Sequence, residues 1–92
     1  MKLVMGEGIL YILQDESGRY YVGSTTDLER RIKQHLSGHT PTTRRMKGLK
    51  LVFSQTFPDI LSARKAEKKI KSWKRKDYIN KIVSDGTMKS VG

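Results

Sequence analysis

Ile9-Leu10-Tyr11-Ile12-Leu13, then Gln14-Asp15-Glu16-Ser17-Gly18, then Arg19-Tyr20-Tyr21-Val22-Gly23 is the stretch on which the fold turns. An apolar run, a polar segment closing on glycine and a second run of strand formers read as a β-hairpin with a loop over Gln14 to Gly18. If Leu13 pairs with Arg19, the antiparallel register sets Tyr11 opposite Tyr21, and directly opposed residues point to one face. Two phenols then sit side by side, and Tyr20 points the other way.

The chain beyond the hairpin opens a helix. Thr26-Asp27-Leu28-Glu29 has capping-box spacing, with Thr26 at the N-cap and Glu29 reaching back, and the helix is predicted to run to about Leu36. Its apolar stripe is Leu28, Ile32 and Leu36. Arg31 and His35 lie on one flank of that stripe, about 6 Å apart along the axis, and are expected at the sheet's edge. Ser37 to Gly48, with Gly38, Pro41, Arg44, Arg45 and Lys47, reads as an exposed basic loop. A third strand is expected over Leu49 to Phe57, closed by Pro58-Asp59. A second helix from about Leu61 carries Ala63, Ala66, Ile70 and Trp73 on one side, with Arg64, Lys65, Lys68, Lys69 and Lys71 largely outside. Tyr78, Ile79, Ile82 and Val83 suggest a short final helix, and 84–92 a frayed tail. The order β-β-α-β-α-α implies an α+β fold: one three-stranded antiparallel sheet flanked by helices, a single domain over residues 1–92 with its core at about 8–83.

Composition restricts the partner. Nineteen Lys and Arg against nine Asp and Glu leave a formal net charge of +10 on 92 residues. Nucleic acid, DNA first, is the polyanion that such an excess suits, because each neutralised phosphate releases counterions. A membrane surface is the rival, but no basic helix opposes a Trp/Phe/Leu face and no lipidation site stands out. The lack of cysteine excludes a disulfide framework and thiolate metal sites. No apolar run reaches membrane-spanning length, and MKLVMGEGILYIL has no signal-peptide core, so the expected address is the cytoplasm.

Glu67 is the only acid between Ile60 and Lys76 and falls between Ala63 and Ile70, toward the protein. A carboxylate there is solvated, paired or metal-bound; the plain alternative to a metal ligand is a helical salt bridge to a lysine such as Lys71. Tyr11 and Tyr21 serve equally as strand packing, Arg31 as a surface arginine and His35 as a helix terminator. Taken together, one face with two phenols, a guanidinium, an imidazole and one carboxylate, set in a basic protein, contains what phosphodiester hydrolysis requires. The carboxylate holds a hard divalent cation, Mg²⁺ or Mn²⁺, the arginine offsets charge on the phosphoryl oxygens, and a phenol relays the proton.

At these residues the chain resembles the GIY-YIG nucleases, in particular small stand-alone proteins similar to the N-terminal nuclease domain of a bacterial excinuclease. The resemblance runs from about Gly8 to Val83, through Ile9-Leu10-Tyr11, Tyr21-Val22-Gly23, Arg31, His35 and Glu67. It departs from the family pattern at Ile9, where the first motif has glycine, and at Val22, where the second has isoleucine. Ser24 stands where some branches carry lysine. The resemblance implies catalytic roles for Tyr11, Tyr21, Arg31, His35 and Glu67, with Tyr11 as general base or water-orienting group and Glu67 as the metal-binding carboxylate. Gly23 matches the glycine that leaves the approach to substrate open. Arg44, Arg45, Lys68 and Lys71 are the expected nucleic-acid contacts.

Three functions follow. The first is a metal-dependent endonuclease acting on DNA, directed by substrate structure in repair or recombination. The second is a nucleic-acid-binding module that keeps the fold without turnover. The third is an adaptor docking on a repair complex.

Overall fold

The computed structural model describes residues 7–38, 45–73 and 76–85. Strands β1 (Gly8–Gln14), β2 (Tyr20–Thr25) and β3 (Lys50–Phe57) and helices α1 (Leu28–Leu36), α2 (Ile60–Trp73) and α3 (Lys76–Asp85) follow the expected order β-β-α-β-α-α. The sheet is antiparallel with spatial order β2-β1-β3. Among the described residues no helix is long and apolar enough to cross a membrane. Arg44 and the rest of 39–44, the side chain of Trp73, and 86–92 of the expected tail lie outside the described residues. Ser84 and Asp85, placed in that tail, instead complete α3.

Strand alternation sorts the sheet into two faces. Leu10, Ile12, Val22 and Phe53 share one face and pack with Ala66 and Ile70 of α2 and Ile82 of α3 as the main core. Tyr11, Leu13, Tyr21 and Gly23 have the opposite parity, and on this second face His35 of α1 meets both tyrosines. The sheet is thus sandwiched, with α1 on one side and α2 and α3 on the other.

The hairpin register differs from expectation by two residues. Tyr11 pairs with Gly23 and Leu13 with Tyr21, and the last ladder pair is Gln14 with Tyr20. Asp15 moves the turn. Its carboxylate accepts hydrogen bonds from the Ser17 hydroxyl and the Ser17 and Arg19 amides, while its own amide donates to the Arg19 carbonyl. The loop therefore spans Asp15 to Arg19, with Gly18 at φ 90°. A slip of two preserves every residue's face, so the two phenols remain neighbours, diagonally rather than directly opposed. Burial works against the Asp15 carboxylate, but those hydrogen bonds and the Arg19 charge outweigh it and hold its pKa below the ordinary value.

Two further expectations change at α1. Asp27, not Thr26, is the N-cap: its side chain accepts the Arg30 amide at 3.1 Å, and Glu29 pairs with exposed Lys33 instead of reaching back. The apolar stripe also turns. Leu36 is 63% exposed and His35 is 1% exposed, because the sheet-facing line runs through positions 28, 32 and 35 rather than 28, 32 and 36.

Gly8 is where β1 meets the start of α2. A Cβ there would lie 2.4 Å from the Asp59 carbonyl oxygen and 2.6 Å from Ile60 Cα. Both are backbone atoms, and Asp59 also caps α2 by accepting the Ser62 amide, so the turn has little room to retreat. Gly8→Ala is expected to destabilise the fold by about 1–3 kcal/mol in urea denaturation. A loss below about 0.5 kcal/mol, the range of neutral surface changes, would show that the turn yields.

Candidate active site

The site begins at the Tyr11–Gly23 pair. Glycine is required because the Tyr11 ring lies over it: a Cβ on Gly23 would fall 2.5 Å from the phenol oxygen. The glycine is buried beneath the tyrosine, so its immediate role is to admit that ring rather than to leave an open approach to substrate. Tyr11 is itself fully buried, and a buried hydroxyl needs partners. It has two. Its oxygen lies 2.7 Å from His35 Nε2, and Arg31 Nε donates to it at 3.3 Å. Tyr21 completes the cluster, with its ring centroid 4.7 Å from that of His35 and 6.4 Å from that of Tyr11.

Both partners come from one face of α1, one turn apart. Arg31 is steadied at its other end by Gln34, whose side-chain oxygen accepts from Nη1 at 3.1 Å. Burial shifts the titrating groups in opposite directions because one is neutral when protonated and the other when deprotonated. It raises Tyr11 above the ordinary phenol value, with the Arg31 hydrogen bond acting against it. It lowers His35 below the ordinary imidazole value, helped by the Arg31 charge. Both groups are therefore held in their neutral forms beside a permanent cation.

Tyr11, Tyr21, Arg31 and His35 are thus brought together, whereas Glu67 is not on their face. It belongs to α2, on the far side of the sheet, and meets the site at the end of β2. Its Oε1 accepts from the Ser24 hydroxyl and its Oε2 pairs with Lys71, each at 2.5 Å. The expectation of one face carrying all five groups is corrected accordingly. Ser24 follows Gly23 and so points to the α2 side, which is how Glu67 reaches this end of the strand. β2 is an edge strand, and at its end residues of both helical layers line one groove.

That groove, of about 430 Å³, is lined by Ser24, Thr25, Arg30, Arg31, Gln34 and Arg64 among others. Three of these are arginines, drawn from both helical layers. Arg31 connects the groove to the buried phenol. Of the expected nucleic-acid contacts, Arg45 and Lys68 are exposed, and Lys71 is engaged by Glu67. Sequence reading missed Arg30, Arg64 and the part played by Ser24. Arg64 had a signal, since it stands three residues before Glu67 and helical spacing puts both on one side.

The oxygen donors also bear on a metal. Among the described residues no group of three or more His, Cys, Asp and Glu converges. A zinc site or an all-protein calcium cage is not what these residues offer. One carboxylate beside a hydroxyl fits a hard, Mg²⁺-like ion that keeps most of its waters and takes substrate phosphate as a further ligand. Glu67 would hold it.

Comparison with known proteins identifies the family. The GIY-YIG catalytic domain matches residues 7–82. The UPF0213 protein YhbQ of Shigella dysenteriae is 37% identical over 79 residues, covering 85% of this chain and 78% of that protein. A UPF0213 protein of Streptococcus pneumoniae is 39% identical over 67 residues, covering 72% and 68%. The solution NMR structure of a UPF0213 protein from Bacillus halodurans superposes with a TM-score of 0.56 at 33% identity, covering 87% of this chain and 86% of that one. With the match extending across both tyrosine motifs, helix α1 and the carboxylate of α2, this chain belongs to the GIY-YIG catalytic domain family.

Proposed function

We propose that the protein is a divalent-metal-dependent endonuclease that hydrolyses phosphodiester bonds in DNA, working in the cytoplasm on substrates selected by their structure in repair or recombination. The family is one of endonucleases, generally dependent on a divalent metal ion. The observation that carries the reading is the Tyr11 hydroxyl held between Arg31 Nε and His35 Nε2, joined through Arg31 to a groove with three arginines.

Tyr11 is a poor standing base. An ordinary phenol is ionised to only about one part in a thousand at neutral pH, and burial lowers that fraction here. A relay avoids the difficulty. When bound substrate opens the Arg31 side of the cluster to the attacking water, Tyr11 takes that water's proton as neutral His35 accepts the phenolic proton at Nε2, so no free phenolate accumulates. Arg31 steadies the phenol oxygen through Nε. Its remaining N–H groups face charge that develops on the phosphoryl oxygens. Arg30 and Arg64 position the neighbouring phosphates. A divalent cation at Glu67, when bound, polarises the phosphate and lowers the pKa of water.

The Glu67–Lys71 ion pair favours a second reading, a binding module whose carboxylate is structural. One substitution separates the two. In the nuclease, Glu67→Gln abolishes Mg²⁺-dependent cleavage of labelled duplex, branched and single-stranded DNA while binding persists or tightens. In the module, wild type cleaves none of these substrates and Glu67→Gln leaves affinity unchanged.

Basic residues at the groove and loop predict how binding responds to salt. Arg64→Gln and Arg45→Gln are each expected to reduce the log–log salt slope of DNA affinity by about one. A slope that both variants leave intact would move the nucleic acid elsewhere on the surface.

His35 sets the pH dependence. The relay needs a neutral imidazole, so cleavage falls on the acid side with a midpoint below the ordinary histidine value of about 6.5. Stability follows the same sign. The folded-state pKa is depressed, so the unfolded chain takes up the proton first as pH drops. The contribution is complete above about 6.5 and is lost as pH falls through the folded value. Melting curves of wild type and His35→Gln between pH 5 and pH 8 check this. Equal slopes for the two proteins would remove His35 as the titrating group.

A further inference from the structure

Glu67 is a carboxylate with both oxygens engaged, and its two neighbours differ in charge. Ser24 presents a neutral hydroxyl to Oε1 and Lys71 an ammonium to Oε2. The Glu67 side chain is 20% exposed and that of Lys71 54% exposed. The acid is thus largely enclosed and held at Oε1 by Ser24, while the lysine reaches it from solvent on a flexible stem. We propose that Lys71 is a displaceable internal cation that competes with the divalent ion for Glu67, and that Ser24 is the positioning residue that keeps the carboxylate aimed during the exchange. This rests on the reading of Glu67 as the metal-holding residue.

Charge decides which neighbour stays. A neutral hydroxyl donating to one oxygen leaves lone pairs on the carboxylate for a cation and limits its rotation, as hydrogen bonds to metal-ligating groups do elsewhere. An ammonium on the other oxygen cannot share so small a group with a dication without strong like-charge repulsion. Lys71 has solvent on its open side and moves out; Ser24, in the ladder opposite Leu10, stays. The exchange also keeps the site from ever presenting a bare carboxylate to DNA. Without the divalent ion, Lys71 offsets the charge of Glu67; with it, the released ammonium is free to meet a phosphate oxygen beside the groove. The two contacts on one carboxylate consequently act on metal affinity with opposite signs.

Mn²⁺ binding, followed by electron paramagnetic resonance and by the Mn²⁺-induced rise in melting temperature, tests this without DNA or cleavage. Lys71→Gln is expected to bind Mn²⁺ about three- to tenfold more tightly than wild type. Ser24→Ala is expected to bind about tenfold more weakly. Should Ser24→Ala melt early, Ser24→Cys keeps the shape, weakens the donor and carries the same forecast. Lys65→Gln makes an equal charge change on an exposed position of the same helix and is expected to alter affinity by less than about twofold. If Glu67→Gln removes Mn²⁺ binding but Lys71→Gln matches wild type, or Lys65→Gln tightens binding as much as Lys71→Gln, the competition is overturned and the metal assignment stands. If wild type binds no Mn²⁺, or Glu67→Gln binds it equally well, the assignment itself fails and the exchange falls with it.

Discussion

The Tyr11 ring lying across Gly23 sets the terms for everything around it. A phenol buried over the sheet must satisfy its hydroxyl inside the protein, since an unpaired buried hydroxyl costs roughly 1–3 kcal/mol. Both of its partners, His35 and Arg31, come from α1. The helix must therefore present positions 31 and 35 to the second face of the sheet, and Asp27 fixes where its first turn starts. Polar satisfaction of a single atom thus links the hairpin register, the helix frame and the exposure of Leu36.

Burial acts on this cluster in one direction, toward neutrality, and this shapes its chemistry. The same desolvation that keeps the phenol protonated keeps the imidazole unprotonated. An adjacent neutral acid and neutral base, with a permanent cation beside them, can pass a proton without creating an isolated buried charge. The excess of positive charge in the chain does not enter the cluster except through Arg31. Arg30, Arg64 and the lysines of α2 remain outside it.

The sheet separates two sets of groups. The phenols, imidazole and Arg31 guanidinium gather on the α1 face, and the Glu67 carboxylate approaches from the α2 face. They meet because β2 is an edge strand and Ser24, one residue beyond Gly23, projects to the other layer. A site at a strand's end can draw on both layers without opening the main core of Leu10, Ile12, Val22, Phe53, Ala66, Ile70 and Ile82.

Much of this was legible in the sequence, and the reasons are local. Alternation put Tyr11 and Tyr21 on one face and Tyr20 on the other. That survives a register slip of two, because strand parity repeats every second residue. Helical spacing put Arg31 beside His35 and Glu67 beside Ala63 and Ile70. The family resemblance rested on these same positions. What only the tertiary structure decided depends on contacts between segments. The loop start turned on whether Asp15 folds back on Ser17 and Arg19, a competition that no pairing rule resolves. Whether α1 buries His35 or Leu36 depended on a buried phenol's need for a partner, which outweighed the burial of one leucine. The face from which Glu67 enters, and its shared hold on Ser24 and Lys71, followed from packing α2 against the side of the sheet opposite α1. Side-chain period is written along a chain, but the partner that a polar group finds across the sheet is not.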